Sequence, residues 1–366
     1  MSTMSWKERL SAVPFQRKLL VILNAVLLIA CLSFGAALHS VGTAFETTTA
    51  AARFGGESGQ RFAHLACYLP VGGGKSEEDI LSLRSALESR LTEQSLAAPE
   101  GGSLYIDAYS TSTKITAVTD HAAAEVSAFG VGGNFFHFHP LRLRSGAYIA
   151  ERDLMDDLVV LDEAMAWRLF GGTELSGLTI YIEGEPFVVG GVVAMEDDFA
   201  AERAVENEGT LFLSYSALKR LKDDISISCY EIVLPDPITG YARSTMESLL
   251  AAEDSVLVEV SSRFSPANLF GIIKSFGERS MRTKAVVFPY WENALRLAED
   301  HGALLLLLTA LTALCPLMTA IVLMARGVRA LWRFTRREIP ARISAAVERH
   351  KENRLARITA EAGKGE

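Results

Sequence analysis

The sequence has 366 residues, of which 49% are hydrophobic and 22% charged, and its formal net charge is −8. This hydrophobic fraction excludes a disordered chain, and four cysteines exclude a fold built on disulfides. The charges are segregated: residues 1–18 carry +3, residues 39–301 carry −17 and residues 326–366 carry +6, so the two stretches between them carry none. An acidic middle between two basic ends and two uncharged stretches excludes a purely soluble globular protein.

The two uncharged stretches predict transmembrane helices. Residues 19–38 are 20 in number and residues 302–325 are 24. A helix of about 20 residues spans the hydrocarbon core of a bilayer, which is roughly 30 Å thick. A cleaved signal peptide is the alternative for the first stretch. Its apolar run is longer than the roughly 7–15 residues of a signal peptide, which favours an uncleaved anchor.

Basic residues lie beside both stretches. Lys7, Arg9, Arg17 and Lys18 precede the first stretch. Five arginines, here called the arginine cluster, follow the second: Arg326, Arg329, Arg333, Arg336 and Arg337. Because positive residues near the ends of spans stay in the cytoplasm, we expect cytoplasmic segments at residues 1–18 and 326–366. The acidic loop is then extracytoplasmic, in a multi-pass protein of the cell (plasma or inner) membrane.

The arginine cluster has two interpretations. It either anchors the end of the second span to anionic lipid, at roughly 1 kcal/mol per basic residue near the surface, or forms a docking helix for a partner protein. Any span end needs such charges, which favours the anchor. The sequence leaves both interpretations open.

The acidic loop contains the order strand, helix, strand twice. The patterns that predict these elements cover residues 62–69, 77–95 and 103–118, and then residues 225–234, 238–253 and 255–260. Ser76 followed by three acidic residues is a typical helix start. Two such units form the split, ferredoxin-like arrangement, which we call the ferredoxin-like part.

About a hundred residues, 121–224, are inserted between the two units, and we call them the lobe. Two apolar strands at residues 178–182 and 187–193 flank the turn Glu183-Gly184-Glu185-Pro186, which is a hairpin signal. We therefore expect a small β-rich lobe in which Phe187 is buried, with Val189 and Val192.

Three segments of the lobe carry a resemblance to a known family. They read GVGGNFFHFHPLRLRSGAY, DLVVLDEAMAWRLFGG and LSGLTIYIEGEPFVVGGVV. Together they resemble the extracytoplasmic core domain of MacB-type and FtsX-like ABC permeases. The likeness covers about residues 120–220 in detail, and the ferredoxin-like part by its order of elements.

The resemblance implies an α+β ectodomain flanked by two transmembrane α-helices. The ectodomain, residues 39–301, would have a ferredoxin-like porter part at about 60–120 and 225–262. The inserted β-rich lobe lies between them, and stalk helices lie at both ends. Members of the family continue into two further spans. Residues 326–366 hold no third apolar run, so we expect the last two spans to be missing.

The resemblance also implies a function. The chain would be a permease-type subunit of an ABC transport complex, transmitting ATPase-driven motion to its extracytoplasmic domain. Its partners would be a separate ABC ATPase, a four-span permease, the lipid bilayer and further copies of itself or a relative, and not nucleic acid. The alternative is a membrane-anchored extracytoplasmic sensor or scaffold that binds an envelope partner.

The motifs of several enzyme classes are absent from the sequence. It contains neither a GxxxxGK[ST] phosphate-binding loop nor a GxSxG nucleophile elbow. We therefore expect a chain without enzymatic activity and without a cofactor.

Residues His137 and His139 have strand spacing, which would point both imidazoles to one face. Two such residues can hold a metal ion, but no Cys or carboxylate lies close enough in sequence to complete the set. An ordinary structural strand is the favoured interpretation. The acidic groups at residues 153–157 and 196–198 lack the ligand rhythm of a calcium loop and are expected to be solvated turns.

Cysteines Cys67 and Cys229 fall on the first strands of the two ferredoxin units. Those strands are neighbours in such a sheet, so a disulfide is geometrically allowed. The alternation of apolar residues places the two thiols on opposite faces, which favours two buried free thiols.

Overall fold

The structure is a computed structural model. It describes residues 14–94, 98, 102–150, 153, 156–194, 200, 209–250, 254–277, 279, 282, 283 and 285–362, and the side chains of residues 282, 283, 337–345 and 354–362 lie outside this description. The acidic group at 196–198 also lies outside the described residues. The chain forms two compact units: residues 37–306, and the helical segments up to Ala36 and from Leu307.

The elements mix helices and strands along the whole described chain. The helices are α1 Phe15–Ala44, α2 Ala50–Gly55, α3 Glu77–Glu93, α4 Phe135–Phe138, α5 Glu163–Phe170, α6 Tyr215–Leu221, α7 Tyr241–Leu249, α8 Pro266–Lys274 and α9 Tyr290–Ala362. The strands are β1 Phe62–Tyr68, β2 Ile106–Val118, β3 Ala123–Gly133, β4 Arg142–Gly146, β5 Leu158–Asp162, β6 Thr179–Ile182, β7 Glu185–Ala194, β8 Thr210–Ser214, β9 Cys229–Pro235, β10 Val256–Glu259, β11 Arg282–Thr283 and β12 Val286–Val287.

Two of these helices are long and apolar enough to cross a membrane. They are α1 and the Tyr290–Arg336 portion of α9, and no residue in the apolar window of either is buried in a core. Each contains one of the uncharged stretches. Helix α9 continues through Pro316 without interruption.

The ferredoxin-like part is an antiparallel sheet in the order β10-β1-β9-β2. Helices α3 and α7 cover one face through a cluster that includes Leu87 and Met246. Helix α3 begins with a capping box, because Ser76 accepts from the backbone N–H of Asp79 and donates its own N–H to the Asp79 carboxylate. The other face of the sheet packs against the first turns of α9.

The lobe is not a separate sheet, because strand β2 belongs to both parts. Its first five residues pair with β9, residues 108–118 pair with β3, and its last two residues pair with β6. The hydrogen-bonded path β2-β3-β8-β5-β7-β6 therefore returns to β2. A closed path removes exposed strand edges and encloses its own apolar core.

The hairpin of the lobe has a tighter turn than the sequence predicted. Only Glu183 and Gly184 connect β6 to β7, with φ values of 48° and 88°. Two positive φ values in a two-residue loop match the right-handed twist of the flanking strands. Phe187, Val189 and Val192 are all 0% exposed, so their predicted burial is confirmed.

The two cysteines of the ectodomain are free and buried. In the register of β1 and β9, Cys67 lies opposite Tyr230, and Cys229 lies opposite Tyr68. Adjacent residues of a strand point to opposite faces. Cys67 accordingly belongs to the core under α3 and α7, and Cys229 belongs to the core on the other face.

Candidate functional site at the root of helix α9

The first turns of α9 are inserted into the aromatic core of the ectodomain. Trp291 is 3% exposed. Its ring centroid lies 5.2 Å from that of Phe129 on β3, 5.7 Å from that of Phe135 on α4 and 4.5 Å from that of His139. Aromatic pairs at these distances add to the burial of apolar area. The start of α9 is therefore packed against β3 and α4 at once.

A buried carboxylate on the same turn gathers donors from three parts of the chain. Both carboxylate oxygens of Glu292 lie 2.6 Å from Nη2 of Arg263, which follows β10. Tyr68 on β1 donates its hydroxyl to Glu292 at 2.9 Å, and Nε of Arg296 donates at 2.7 Å. We call these four residues the root network. It connects α9 to the ferredoxin-like sheet.

The ionic contacts continue along α9. Nε of Arg263 lies 3.6 Å from Oε1 of Glu299. Arg279 pairs with Glu299 and, at 2.8 Å, with Asp300. Two turns of α9 are thereby held by guanidinium groups that lie outside the helix.

Burial and charge oppose each other in the root network. Burial disfavours the charged form of Arg263, but the carboxylates of Glu292 and Glu299 outweigh it and raise the pKa of this guanidinium. Burial, reinforced by the Glu292 carboxylate, raises the pKa of the Tyr68 hydroxyl well above its ordinary value. Arg263 therefore remains charged and Tyr68 remains a donor at neutral pH.

A second buried cluster, the His–Glu–His cluster, lies on the same face of the sheet. Oε2 of Glu231 on β9 lies 2.6 Å from Nε2 of His139, and Oε1 lies 3.2 Å from Nε2 of His64 on β1. Burial opposes ionisation of Glu231, yet the imidazoles outweigh burial and lower the pKa of this carboxyl to about 2. Burial lowers the pKa of His64, and Glu231 offsets this in part.

The short helix α4 contacts the segments that follow α1 as well as the root of α9. Nε2 of His137 lies 3.3 Å from the carbonyl oxygen of Ala50 on α2, and Arg53 on α2 donates to the carbonyl of His137. Phe135 and His139 face Trp291 instead. The single turn of α4 thus lies between α2, which follows the first apolar helix, and the first turns of α9.

This arrangement corrects the strand predicted around His137 and His139. Residues 135–138 form a helical turn, so the two imidazoles do not share one face and cannot chelate one ion. Among the residues that the structure describes, no group of three or more His, Cys, Asp or Glu side chains could hold a metal ion.

A polar pocket of about 140 Å³ lies between the ferredoxin-like part and the lobe. Its carboxylates already have partners within the pocket. Tyr109 donates to Glu77 at 2.8 Å, and Ser216 donates to Asp156 at 2.8 Å. Among the described residues, each carboxylate that lines the pocket already has a hydrogen-bond partner.

The arginine cluster lies farther along α9, in the other compact unit. Arg326, Arg329, Arg333 and Arg336 are exposed, and the side chain of Arg337 lies outside the described residues. The guanidinium of Arg336 lies 4.2 Å from the ring centroid of Trp332. The cluster thus combines exposed cations with an exposed aromatic side chain on one helix.

The root network and the His–Glu–His cluster were not anticipated from the sequence. A signal was present, because His64 and Glu231 interrupt the largely apolar runs FAHLACYL and CYEIVL. Buried polar groups require partners, so each of these residues implies a contact across the sheet. The sequence does not identify that contact.

Comparison with known protein families identifies the family of this chain. Residues 19–291 match the family of MacB-like periplasmic core domains. This match covers most of the chain, and the protein belongs to that family. Among proteins of curated function, none matches the chain.

Solved structures include similar domains at low sequence identity. The periplasmic region of MacB from Actinobacillus actinomycetemcomitans is 18% identical, with a TM-score of 0.41 over 60% of this chain and 94% of that one. The extracellular domain of the noncanonic ABC-type transporter YknZ from Gram-positive bacteria is 16% identical, with a TM-score of 0.37 over 54% of this chain and 100% of that one.

The class of the protein follows from its family and its helices. It is an ABC transporter permease-type protein with a mixed α+β ectodomain. Two apolar helices flank this ectodomain and are consistent with anchoring in a membrane.

Proposed function

We propose that this chain transmits ATPase-driven motion to its ectodomain as a subunit of an ABC transport complex. The observation that carries the proposal is the continuity of α9, which runs without a break from the buried root network through the candidate span and the arginine cluster. No loop interrupts α9 between these points, so a displacement of the helix on one side of the membrane would also displace it on the other side.

The root network supports this role on physical grounds. Separating the Arg263–Glu292 pair would leave uncompensated charges in a buried site, at a cost of about 3–5 kcal/mol. Trp291 would also lose its aromatic contacts. A movement of α9 therefore moves the ferredoxin-like sheet with it rather than sliding past it. Coupling of this kind requires that α9 adopt two arrangements, each favoured by a different nucleotide state of the ATPase.

The proposal includes a topology. Residues 19–38 and 302–325 cross the membrane, both termini are cytoplasmic, and residues 39–301 form the extracytoplasmic domain. The basic flanks support this orientation. The arginine cluster lies at the cytoplasmic end of the second span, where we assign it the role of a lipid anchor.

The proposal also includes partners. A separate ABC ATPase would bind on the cytoplasmic side and supply the motion, because the sequence contains no phosphate-binding loop of its own. A four-span permease or a second copy would complete the assembly. The family assignment supports this set of partners.

The test uses the full chain purified with the ATPase that accompanies it from its native membrane. Hydrogen–deuterium exchange of β1 and β9 is measured with and without ATP and vanadate. We expect exchange to differ between the two states in the unaltered chain. His301→Pro should abolish the difference, because proline removes the backbone hydrogen bond to Leu297 and breaks or kinks the helix between the root network and the span.

The matched control is His301→Ala, since His301 is exposed and alanine favours the helix. This variant should keep the nucleotide-dependent difference. A difference that survives in His301→Pro would show that motion does not travel through α9. Absence of any ATPase from the purified complex would contradict the permease role itself.

A further inference from the structure

The segment around α8 exposes large apolar side chains. Residues 264–277, FSPANLFGIIKSFG, contain Lys274 as their only charged residue. Phe270 is 55% exposed and Phe276 is 64% exposed. We call Phe270, Lys274 and Phe276 the α8 surface. A run this apolar with two exposed phenylalanines marks a contact with something other than water.

The position of α8 relative to the uncharged stretches indicates what it contacts. Leu269 is buried, and a Cβ added at Gly302 would lie 3.3 Å from Cδ2 of Leu269 and 3.6 Å from Cδ1 of Leu38. Gly302 is the first residue of the second uncharged stretch, and Leu38 is the last residue of the first. Helix α8 therefore packs where both apolar stretches meet the ectodomain.

The preceding residue places the segment against the other stalk. A Cβ added at Gly42 would lie 3.4 Å from Cβ of Phe264, and the ring of Phe264 stacks on that of Phe45 at 6.1 Å. The segment is thus fastened to both stalks by Phe264 and Leu269. Phe270 and Phe276 are the large apolar side chains that these contacts leave exposed.

We propose that the α8 surface lies in the bilayer leaflet that faces the ectodomain, where it acts as an interfacial anchor. Short apolar helices at this level bury their aromatic side chains at the boundary of headgroups and acyl chains. Nζ of Lys274 lies 4.9 Å from the ring centroid of Phe270. A lysine in this position extends its stem along apolar surface and places its ammonium among the phosphates.

This anchor fixes the height of the ectodomain above the membrane independently of the two spans. The inference goes beyond the proposed transmission of motion and rests, within the proposed function, only on the proposed membrane-spanning topology. A second protein covering the same surface is the competing occupant. The bilayer is favoured because α8 packs through Leu269 against the ends of the stretches that the bilayer itself would cover.

The test is fluorescence quenching in lipid nanodiscs made with the full chain. Phe270→Trp places a reporter on the α8 surface, and the emission of the unaltered chain is subtracted. Some nanodiscs contain lipids brominated about 5–10 Å below the headgroups, the depth that interfacial helices reach. We expect the additional emission to fall about twofold in those nanodiscs, because an interfacial helix lies at the depth of the bromine.

Tyr181→Trp is the matched control. Tyr181 is 45% exposed on β6, and the core cluster of the lobe contains no stalk residue. Its emission should be unaffected by bromine. Equal emission of Phe270→Trp in both kinds of nanodisc would overturn the proposal. Unquenched emission at a short wavelength would mean that protein, such as a second copy of the chain, covers the α8 surface. Unquenched emission at a long wavelength would mean that the surface lies in water.

Discussion

Arg263 and Glu292 form an ion pair in which the side chains are 3% and 0% exposed. They lie 29 positions apart in sequence, one in the turn after β10 and the other in the first turns of α9. The pair joins the last strand of the ferredoxin-like sheet to the helix that enters the membrane in the proposed topology. The stability of the ectodomain and its connection to the membrane therefore depend on the same two side chains.

The Glu292→Gln variant should be strongly destabilised. The change removes the charge that compensates the buried guanidinium of Arg263, and such a loss costs about 3–5 kcal/mol. The free energy of unfolding is measured by chemical denaturation of the full chain in detergent. Glu247→Gln is the control, because its pair with Arg243 is about half exposed and is expected to contribute less than about 1 kcal/mol. Equal losses in the two variants would contradict the role of the root network.

The stability of the ectodomain should fall in two stages as the pH is lowered. Burial holds the pKa of His64 below its ordinary value of 6.5, so the unfolded chain binds the proton more readily and stability decreases below about pH 6.5. Glu231 has a pKa of about 2 in the folded chain against an ordinary 4.5, so the stability that it contributes is present above about pH 4.5 and is lost between there and about pH 2.

The first stage is assigned by substitution. His64→Gln should flatten the dependence of the unfolding free energy on pH between about 6.5 and 5, because the buried titrating group is removed. His121→Gln, at an exposed position, should leave this dependence in place. A wild-type chain whose stability does not change over that range would contradict the buried, neutral state of His64.

The Phe187→Ala variant tests the core of the lobe. Phe187 is 0% exposed, and loss of a buried phenyl ring costs about 3–5 kcal/mol through lost transfer energy and the cavity left behind. Tyr181→Ala on the neighbouring strand is the control, with an expected loss under about 1 kcal/mol because the side chain is nearly half exposed. A small loss for Phe187→Ala would mean that the lobe repacks around the gap.

Cysteine labelling of intact cells tests the proposed topology. Pro186→Cys, next to the hairpin turn of the lobe, should react with a membrane-impermeant maleimide, because Pro186 is exposed and extracytoplasmic in the proposed orientation. Ala360→Cys should react only after the cells are opened. The reverse pattern would refute the orientation and remove the basis for a cytoplasmic arginine cluster.

Deletion of residues 340–366 tests whether the distal part of the basic tail docks a partner. The arginine cluster remains, so we expect membrane insertion to be unchanged. We expect co-purification of the ATPase to be unchanged as well, which would remove the docking role from the distal tail. A loss of the ATPase with normal insertion would assign docking to the distal tail instead.

The sequence by itself determined the elements that depend on local pattern. The absence of charge in residues 19–38 and 302–325 defines two helices, because an apolar run of that length has few other stable environments. The two strand–helix–strand units and the hairpin around Glu183 and Gly184 follow from periodicity and turn chemistry. Burial of Phe187 and the separate faces of Cys67 and Cys229 follow from alternation within strands.

Only the tertiary structure decided which distant residues meet. Glu231 contacts His64 and His139, which are 167 and 92 positions away, and Arg263 contacts Glu292 across 29 positions. No local pattern encodes such contacts. A polar residue in a buried strand indicates that it has a partner but does not indicate which residue that partner is. The helical turn at residues 135–138 has the same origin. Its phenylalanines pack against Phe212 and Trp291 from other elements, and this packing outweighs the strand-like alternation of FFHFH.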